Sequence, residues 1–250
     1  MLTLDDRHLL HVCFRFGLES VEKMVDWTVD HYPPPTDPSK SPSILEIGCG
    51  NGTLLFAVHE AGYDPKKIHG IDYSENAISL AKSVATTKET DATSIRFTVH
   101  DFLRDDLPGD GDTSDGWDLI LDKGTFDAIS LGKRDEDGYA PHRQYPQRLS
   151  TLMKPCGRFL ITCETDFHPF TLRRLIFLAC NFTEDELKSV FLVPEAGLVY
   201  QYVPRVPYGP VLSINTLRNS TLSSRVQHPT FTFGGKSGSI VVTLAFEKPR

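Results

Sequence analysis

Ile44-Leu45-Glu46-Ile47-Gly48-Cys49-Gly50-Asn51-Gly52-Thr53-Leu54-Leu55 decides how this chain folds. It reads as a short apolar strand, a turn of alternating glycines and the opening of a helix. Glycines at 48, 50 and 52 let the backbone turn sharply and bring bare N–H groups against a ligand at the start of the helix, so the turn is predicted to hold a nucleoside cofactor. The dinucleotide fingerprint G-x-G-x-x-G/A asks for a small residue where Thr53 stands. A phosphate-gripping P-loop needs a Lys-Ser or Lys-Thr pair after the glycines, and none follows. The other reading of the stretch is a structural turn.

Working outward, residues 19–31 place Val21, Met24, Val25 and Val29 at helical spacing, ended by Pro33-Pro34-Pro35. Residues 1–17 show no clean period and are assigned no element. Residues 53–61 read as a helix closed by Gly62, and 67–72 as a second strand ending in Asp72, 24 positions after Gly48. At that distance a carboxylate is expected to accept from both ribose hydroxyls, although Asp72 also suits a turn into a helix capped by Ser74. Residues 94–100 alternate as a third strand that delivers Asp101 and Phe102, while 104–118 read as a solvated acidic loop. Trp117 to Asp122 form a fourth strand whose acid lies at the carboxyl edge of a parallel sheet, where such sheets bind ligands. A helix over 145–153 and a strand over 158–163 complete a βαβα alternation.

Composition bounds the function. The chain has 250 residues, 40% hydrophobic and 24% charged, enough for one α/β domain spanning 1–250. A formal net charge of -7 argues against a nucleic-acid binder and is compatible with a basic protein substrate. Cysteines at 13, 49, 156, 163 and 180 form no C-x-x-C pair, which points to reduced thiols and a cytoplasmic protein with no metal site. The apolar runs are too short to span a bilayer.

Glu-x-Gly-x-Gly-x-Gly after an apolar strand is the pattern of S-adenosylmethionine (SAM) methyltransferases. Together with Gly70-Ile71-Asp72-Tyr73-Ser74, Asp101-Phe102-Leu103, Asp122-Lys123-Gly124-Thr125-Phe126-Asp127-Ala128-Ile129-Ser130-Leu131 and the closing residues Phe231-Thr232-Phe233-Gly234-Gly235-Lys236-Ser237-Gly238, it resembles the elongation factor 1-alpha lysine methyltransferases of fungi and animals. That resemblance implies a Rossmann-like α/β fold, a seven-strand, mostly parallel sheet with an antiparallel last strand. It implies SAM as cofactor, held by Glu46, Gly48, Cys49, Gly50, Asn51, Gly52, Asp72, Tyr73, Asp101 and Phe102. It further implies a monomer that methylates a lysine of elongation factor 1-alpha. Asp122 and Asp127 are expected to orient the lysine, with Phe126 desolvating it. A small-molecule methyltransferase and a non-catalytic protein of the same fold are the alternatives.

The chain departs from the family pattern in three places. Residues 1–16 diverge, so that Arg15-Phe16-Gly17 stands where a Trp-Phe pair would fold over the cofactor. Residues 164–179 and 203–226 are expected to be insertions, and all three departures are read as translated non-coding sequence, with a lineage-specific substrate loop as the competing reading.

Overall fold

A computed structural model describes residues 4–106, 116–132, 140–164, 182–200, 225–226, 230–233, 236–239 and 241–250, with side chains in the first helix from residue 17 onward. In chain order the elements are α1 (Leu4–His31), β1 (Ile44–Ile47), α2 (Thr53–Glu60), β2 (Ile68–Asp72), α3 (Glu75–Thr86), β3 (Arg96–Val99), β4 (Trp117–Lys123), α4 (Thr125–Ser130), α5 (Tyr145–Leu152), β5 (Met153–Glu164), α6 (Glu184–Phe191), β6 (Val199–Tyr200), β7 (Arg225–Val226), β8 (Thr230–Phe233), β9 (Lys236–Ser239) and β10 (Val241–Glu247).

The main sheet runs β3-β2-β1-β4-β5-β10-β6, with the two-residue β7 also pairing to β10, and β8 and β9 form a separate hairpin. β1, β2, β3, β4 and β5 are mutually parallel where they pair, whereas β10 runs antiparallel to β5 and β6. This is the expected mostly parallel sheet with an antiparallel last strand.

Alternation along the strands sorts the core into two layers. Ile44, Leu119, Leu121, Leu160 and Ala245 face one way, against Val21, Met24 and Trp27 of α1, Leu54, Leu55 and Val58 of α2 and Ile78 and Ala81 of α3. Leu45, Ile47, Ile120, Phe159, Ile161, Leu244 and Phe246 face the other way, against Phe126, Tyr145, Leu149, Leu187 and Phe191 of α4, α5 and α6. Such two-sided burial explains why Ile44, Leu45 and Ile47 of β1 and Leu119, Ile120 and Leu121 of β4 are apolar on both faces of the sheet.

Two boundaries differ from expectation. α1 begins at Leu4, well before residue 19. The earlier stretch holds no proline, and a Cβ on Gly17 would meet nothing within 4 Å, so the helix carries that glycine at the modest cost of a mid-helix position. β5 begins at Met153, not 158. A register shift against β4 absorbs Lys154 to Gly157, with Cys156 at a φ of 62 whose N–H donates to the Lys248 carbonyl.

The expected insertions lie outside the described residues except at their ends. Glu164 pairs with Val241, and Arg225 and Val226 pair with Leu244 and Thr243. These terminal residues therefore belong to the sheet, because each is registered to a partner in β10.

Candidate functional site

The glycine turn is tied to β2 before anything binds. Gly48 and Cys49 N–H both donate to the Ile71 carbonyl, Gly52 N–H to Cys49 O, Thr53 N–H to Asn51 Oδ1 and Gly50 N–H to Asp72 Oδ2. This corrects the expectation of bare N–H groups facing a ligand, since five of the donors at 48–53 are spent inside the protein. The physical reason is the parallel pairing of β1 with β2, which sets Ile71 and Asp72 directly under the turn. What remains is a shaped backbone surface, suited to an uncharged or cationic group and not to a phosphate.

Two of the glycines are required for different reasons. A Cβ on Gly48 would lie 1.9 Å from Thr125 Oγ1, so this glycine lets α4 start against the turn. A Cβ on Gly50, at φ +53, would meet nothing within 4 Å, so this glycine faces open space. Gly52, at the N-terminus of α2, accepts Phe56 N–H. The Asn51 side chain, exposed, also accepts from the Thr53 hydroxyl at 2.7 Å, an Asx-type turn just ahead of α2, whose N-cap is Gly52. Cys49 is buried, and burial pushes its thiol up, away from reactivity.

Asp72 ends β2 almost covered, one oxygen on Gly50 N–H and the other on Ser74 N–H, each at 2.9 Å. Ser74 in turn caps α3. An ionised carboxylate offers about four acceptor sites, so two such bonds fix its orientation and leave capacity for hydroxyls. Next to it Tyr73 is 80% exposed. On β3's far end, Asp101 accepts Leu103 N–H at 2.9 Å and its side chain is one-third exposed. Phe102 turns inward, its ring 4.6 Å from that of Tyr145, so it is a core residue and not the cover of an exposed ring. His100 is a buried structural residue whose N–H donates to Asp72 O, and burial lowers its pKa.

The Asp122 turn is the most enclosed part of the site. Asp122 has no exposure; Oδ1 accepts Thr125 N–H at 2.7 Å, while Oδ2 accepts Phe126 N–H at 3.0 Å and the Tyr145 hydroxyl at 2.5 Å. Desolvation raises its pKa to about 7 against the pull of those donors, with Asp127 adding repulsion. This corrects the expectation that Asp122 faces a reacting amine: its oxygens are engaged at the N-terminus of α4. Phe126 is likewise fully buried, ringed by Tyr145, Phe182 and Phe191 at 4.9 to 5.2 Å, and so packs the core beneath the turn. Asp127 occupies the first turn of α4 with 7% exposure.

Glu46 completes the cluster. It is 2% exposed, and its Oε2 has no hydrogen-bond partner among the described residues. Burial raises its pKa strongly; Lys123 opposes that shift, and Asp122 and Asp72 add to it. Three carboxylates thus crowd the carboxyl edge of β1, β2 and β4 with Lys123 among them. A cationic ligand relieves that crowding. The residues that sequence reasoning missed are Thr125, Tyr145 and Arg148. Thr125 Oγ1 donates to Ile47 O at 2.9 Å and stitches α4 to the glycine turn.

A family described as Methyltransferase domain matches residues 38–190. The protein-lysine N-methyltransferase efm4 of Schizosaccharomyces pombe is 31% identical over 239 residues, covering 93% of this chain and 82% of the relative. EEF1A lysine methyltransferase 2 of Homo sapiens is 30% identical over 233 residues, covering 93% and 75%. Among solved structures, the magnesium protoporphyrin IX methyltransferase of Synechocystis PCC 6803 with bound SAH superposes with a TM-score of 0.58 at 14% identity, over 99% of this chain and 89% of that one. The N-methyltransferase NodS of Bradyrhizobium japonicum WM9 gives 0.54 at 16% identity, over 94% and 98%. These two likenesses speak to the fold.

Proposed function

This chain belongs to the methyltransferase-domain family and, within it, to the elongation factor 1-alpha lysine methyltransferases, and on that premise we propose that it transfers a methyl group from SAM to a lysine of the elongation factor. SAM supplies a methyl carbon already activated on a sulfonium. The chain's own residues suit such a cofactor: an open backbone at Gly50, an oriented carboxylate at Asp72 for ribose hydroxyls, and the unpartnered Glu46 oxygen among crowded carboxylates for a cation. Exposed Tyr73, and not buried Phe102, is the aromatic available to an adenine base.

The acceptor lysine must lose a proton, which at neutral pH costs about 4 kcal/mol from a pKa near 10.4. A carboxylate would raise that pKa, so the acids position the amine, and desolvation does the lowering. With Asp122 committed to the backbone of α4, orientation of the ammonium falls to Asp127, which retains some exposure. Asp122 holds the turn in place.

The observation that carries the reading is Thr125 seated against Gly48, which joins the motif specific to this family to the cofactor turn. A cytoplasmic location is in keeping with thiols at Cys49, Cys156 and Cys163 that form no disulfide among the described residues. No helix among the described residues is long and apolar enough to cross a membrane. The test is tritiated SAM with the purified chain, offered elongation factor 1-alpha and, separately, a metabolite pool. Label is expected in the elongation factor. Label in a metabolite, or SAM binding without any transfer, would replace this reading by one of the two alternatives.

A further inference from the structure

One helix end reaches both halves of the site. From the start of α5, Gln144 Nε2 donates to Leu103 O at 3.3 Å, and Arg148 Nε donates to Phe102 O at 2.6 Å. A second Arg148 nitrogen donates to Asp105 O, and the guanidinium lies 5.8 Å over the Phe102 ring. All these contacts bear on the loop that carries Asp101. Between Gln144 and Arg148, Tyr145 points the other way along the sheet edge, its hydroxyl on Asp122. Its ring packs on Phe102 at 4.6 Å and on Phe126 at 5.2 Å, so one side chain touches the residue after Asp101 and the first turn of α4.

The acceptor turn is also tied from outside by Thr125 Oγ1 to Ile47 O and by Gly124 N–H to Thr162 O, whereas among the described residues the side-chain donors that reach the Asp101 loop from another element come from Gln144 and Arg148. Asp101's own bonds are to Leu103, Arg104 and Asp105 within the loop. Arg148 is a charged donor to two carbonyls of that loop, and charge-assisted bonds are the stronger class. We propose that the N-terminal turn of α5 is a brace that fixes the spacing between the cofactor loop at Asp101 and the acceptor turn at Asp122, with Arg148 positioning the first and Tyr145 the second. This rests on the methyltransferase reading above. Neither residue touches substrate; both act through the backbone or side chain that does.

Steady-state kinetics of the full chain, varying SAM and acceptor, and calorimetry with SAM alone test it on Arg148→Met and Tyr145→Phe. Methionine keeps an apolar stem over Phe102 and removes the donors. Arg148→Met is expected to raise KM and Kd for SAM about tenfold, the scale of a lost charged hydrogen bond, with kcat at saturating SAM changed less than about twofold. Arg148→Lys, which keeps one charged donor, should recover part of the loss and serves if the methionine variant does not fold. Tyr145→Phe should show the reverse split, kcat down about tenfold and KM for SAM unchanged. Folded variants in which both parameters stay at wild-type values, or fall together in both proteins, would overturn the brace. The calorimetric arm needs no acceptor, so a wild type that binds SAM without methylating the elongation factor would count against the acceptor assignment alone.

Discussion

At the scale of single residues, the two that decide most are Asp122 and Gly48. Asp122 is buried with its pKa raised to about 7, above the 3.8 of an ordinary aspartate, beside Glu46, Asp127 and the Tyr145 hydroxyl. Between those two values the folded protein keeps a proton that the unfolded chain releases. Stability from this group is therefore full below the lower value and lost as pH rises toward the upper one. Asp122→Asn carries no such charge, so across pH 4 to 7 the wild type should lose ground to the variant by about 1 kcal/mol per pH unit. Urea unfolding of both proteins at several pH values reads the difference; parallel curves would mean the carboxylate is ionised throughout. For Gly48→Ala, the new methyl collides with the Thr125 hydroxyl at a left-handed φ of +70. A loss of about 1–3 kcal/mol is expected from overpacking, with backbone strain in addition. The same substitution at Gly50 meets open space, so its cost should be smaller in urea unfolding and larger in SAM binding.

At the scale of elements, α6 follows residues outside the description and yet begins with a complete capping box, Thr183 accepting Glu186 N–H while the Glu186 carboxylate accepts Thr183 N–H at 2.7 Å. Thr183→Ala should cost about 1 kcal/mol in urea unfolding; no effect would mean that α6 is frayed at this end in solution. The central strands, the glycine turn and the Ser74 cap were all legible in the sequence, because period and spacing are local properties. What was hidden depends on partners far along the chain. Asp122 reads as an exposed strand-end acid until Tyr145, 23 residues later, covers it. The turn's N–H groups read as free until the Ile71 carbonyl and Asp72 take them from β2. Phe102 reads as a rim aromatic until α5 presents Tyr145 to it. The early start of α1 was hidden for a different reason: helical backbone without an apolar stripe leaves no period to detect.

At the scale of the whole molecule, the question is whether residues 165–179 serve the fold. β5 is registered through Glu164 and α6 starts at Glu184, so the sheet needs a connection there but not a long one. A deletion of 165–179 that leaves Glu164 in its ladder should raise soluble yield and thermal midpoint and keep methyl transfer, if the segment is foreign. A deletion protein that binds SAM but no longer methylates the elongation factor would make it a substrate loop. Thermal melts with and without SAM, beside label incorporation, decide between the two.

The position of β10 has a consequence for how the protein is made. It lies between β5 and β6 and pairs with β5 through seven residues, from Val241 to Glu247. On the ribosome, everything from β1 to β6 is therefore synthesised while the outer edge of β5 still waits for its neighbour. That nascent intermediate shows an open edge beside Phe159 and Ile161 for as long as translation takes to reach Glu247, the kind of edge that recruits chaperones or other chains. A stop codon shortly before Val241 would then yield an aggregating fragment, and not a smaller folded enzyme, even though every residue of the cofactor turn had been translated.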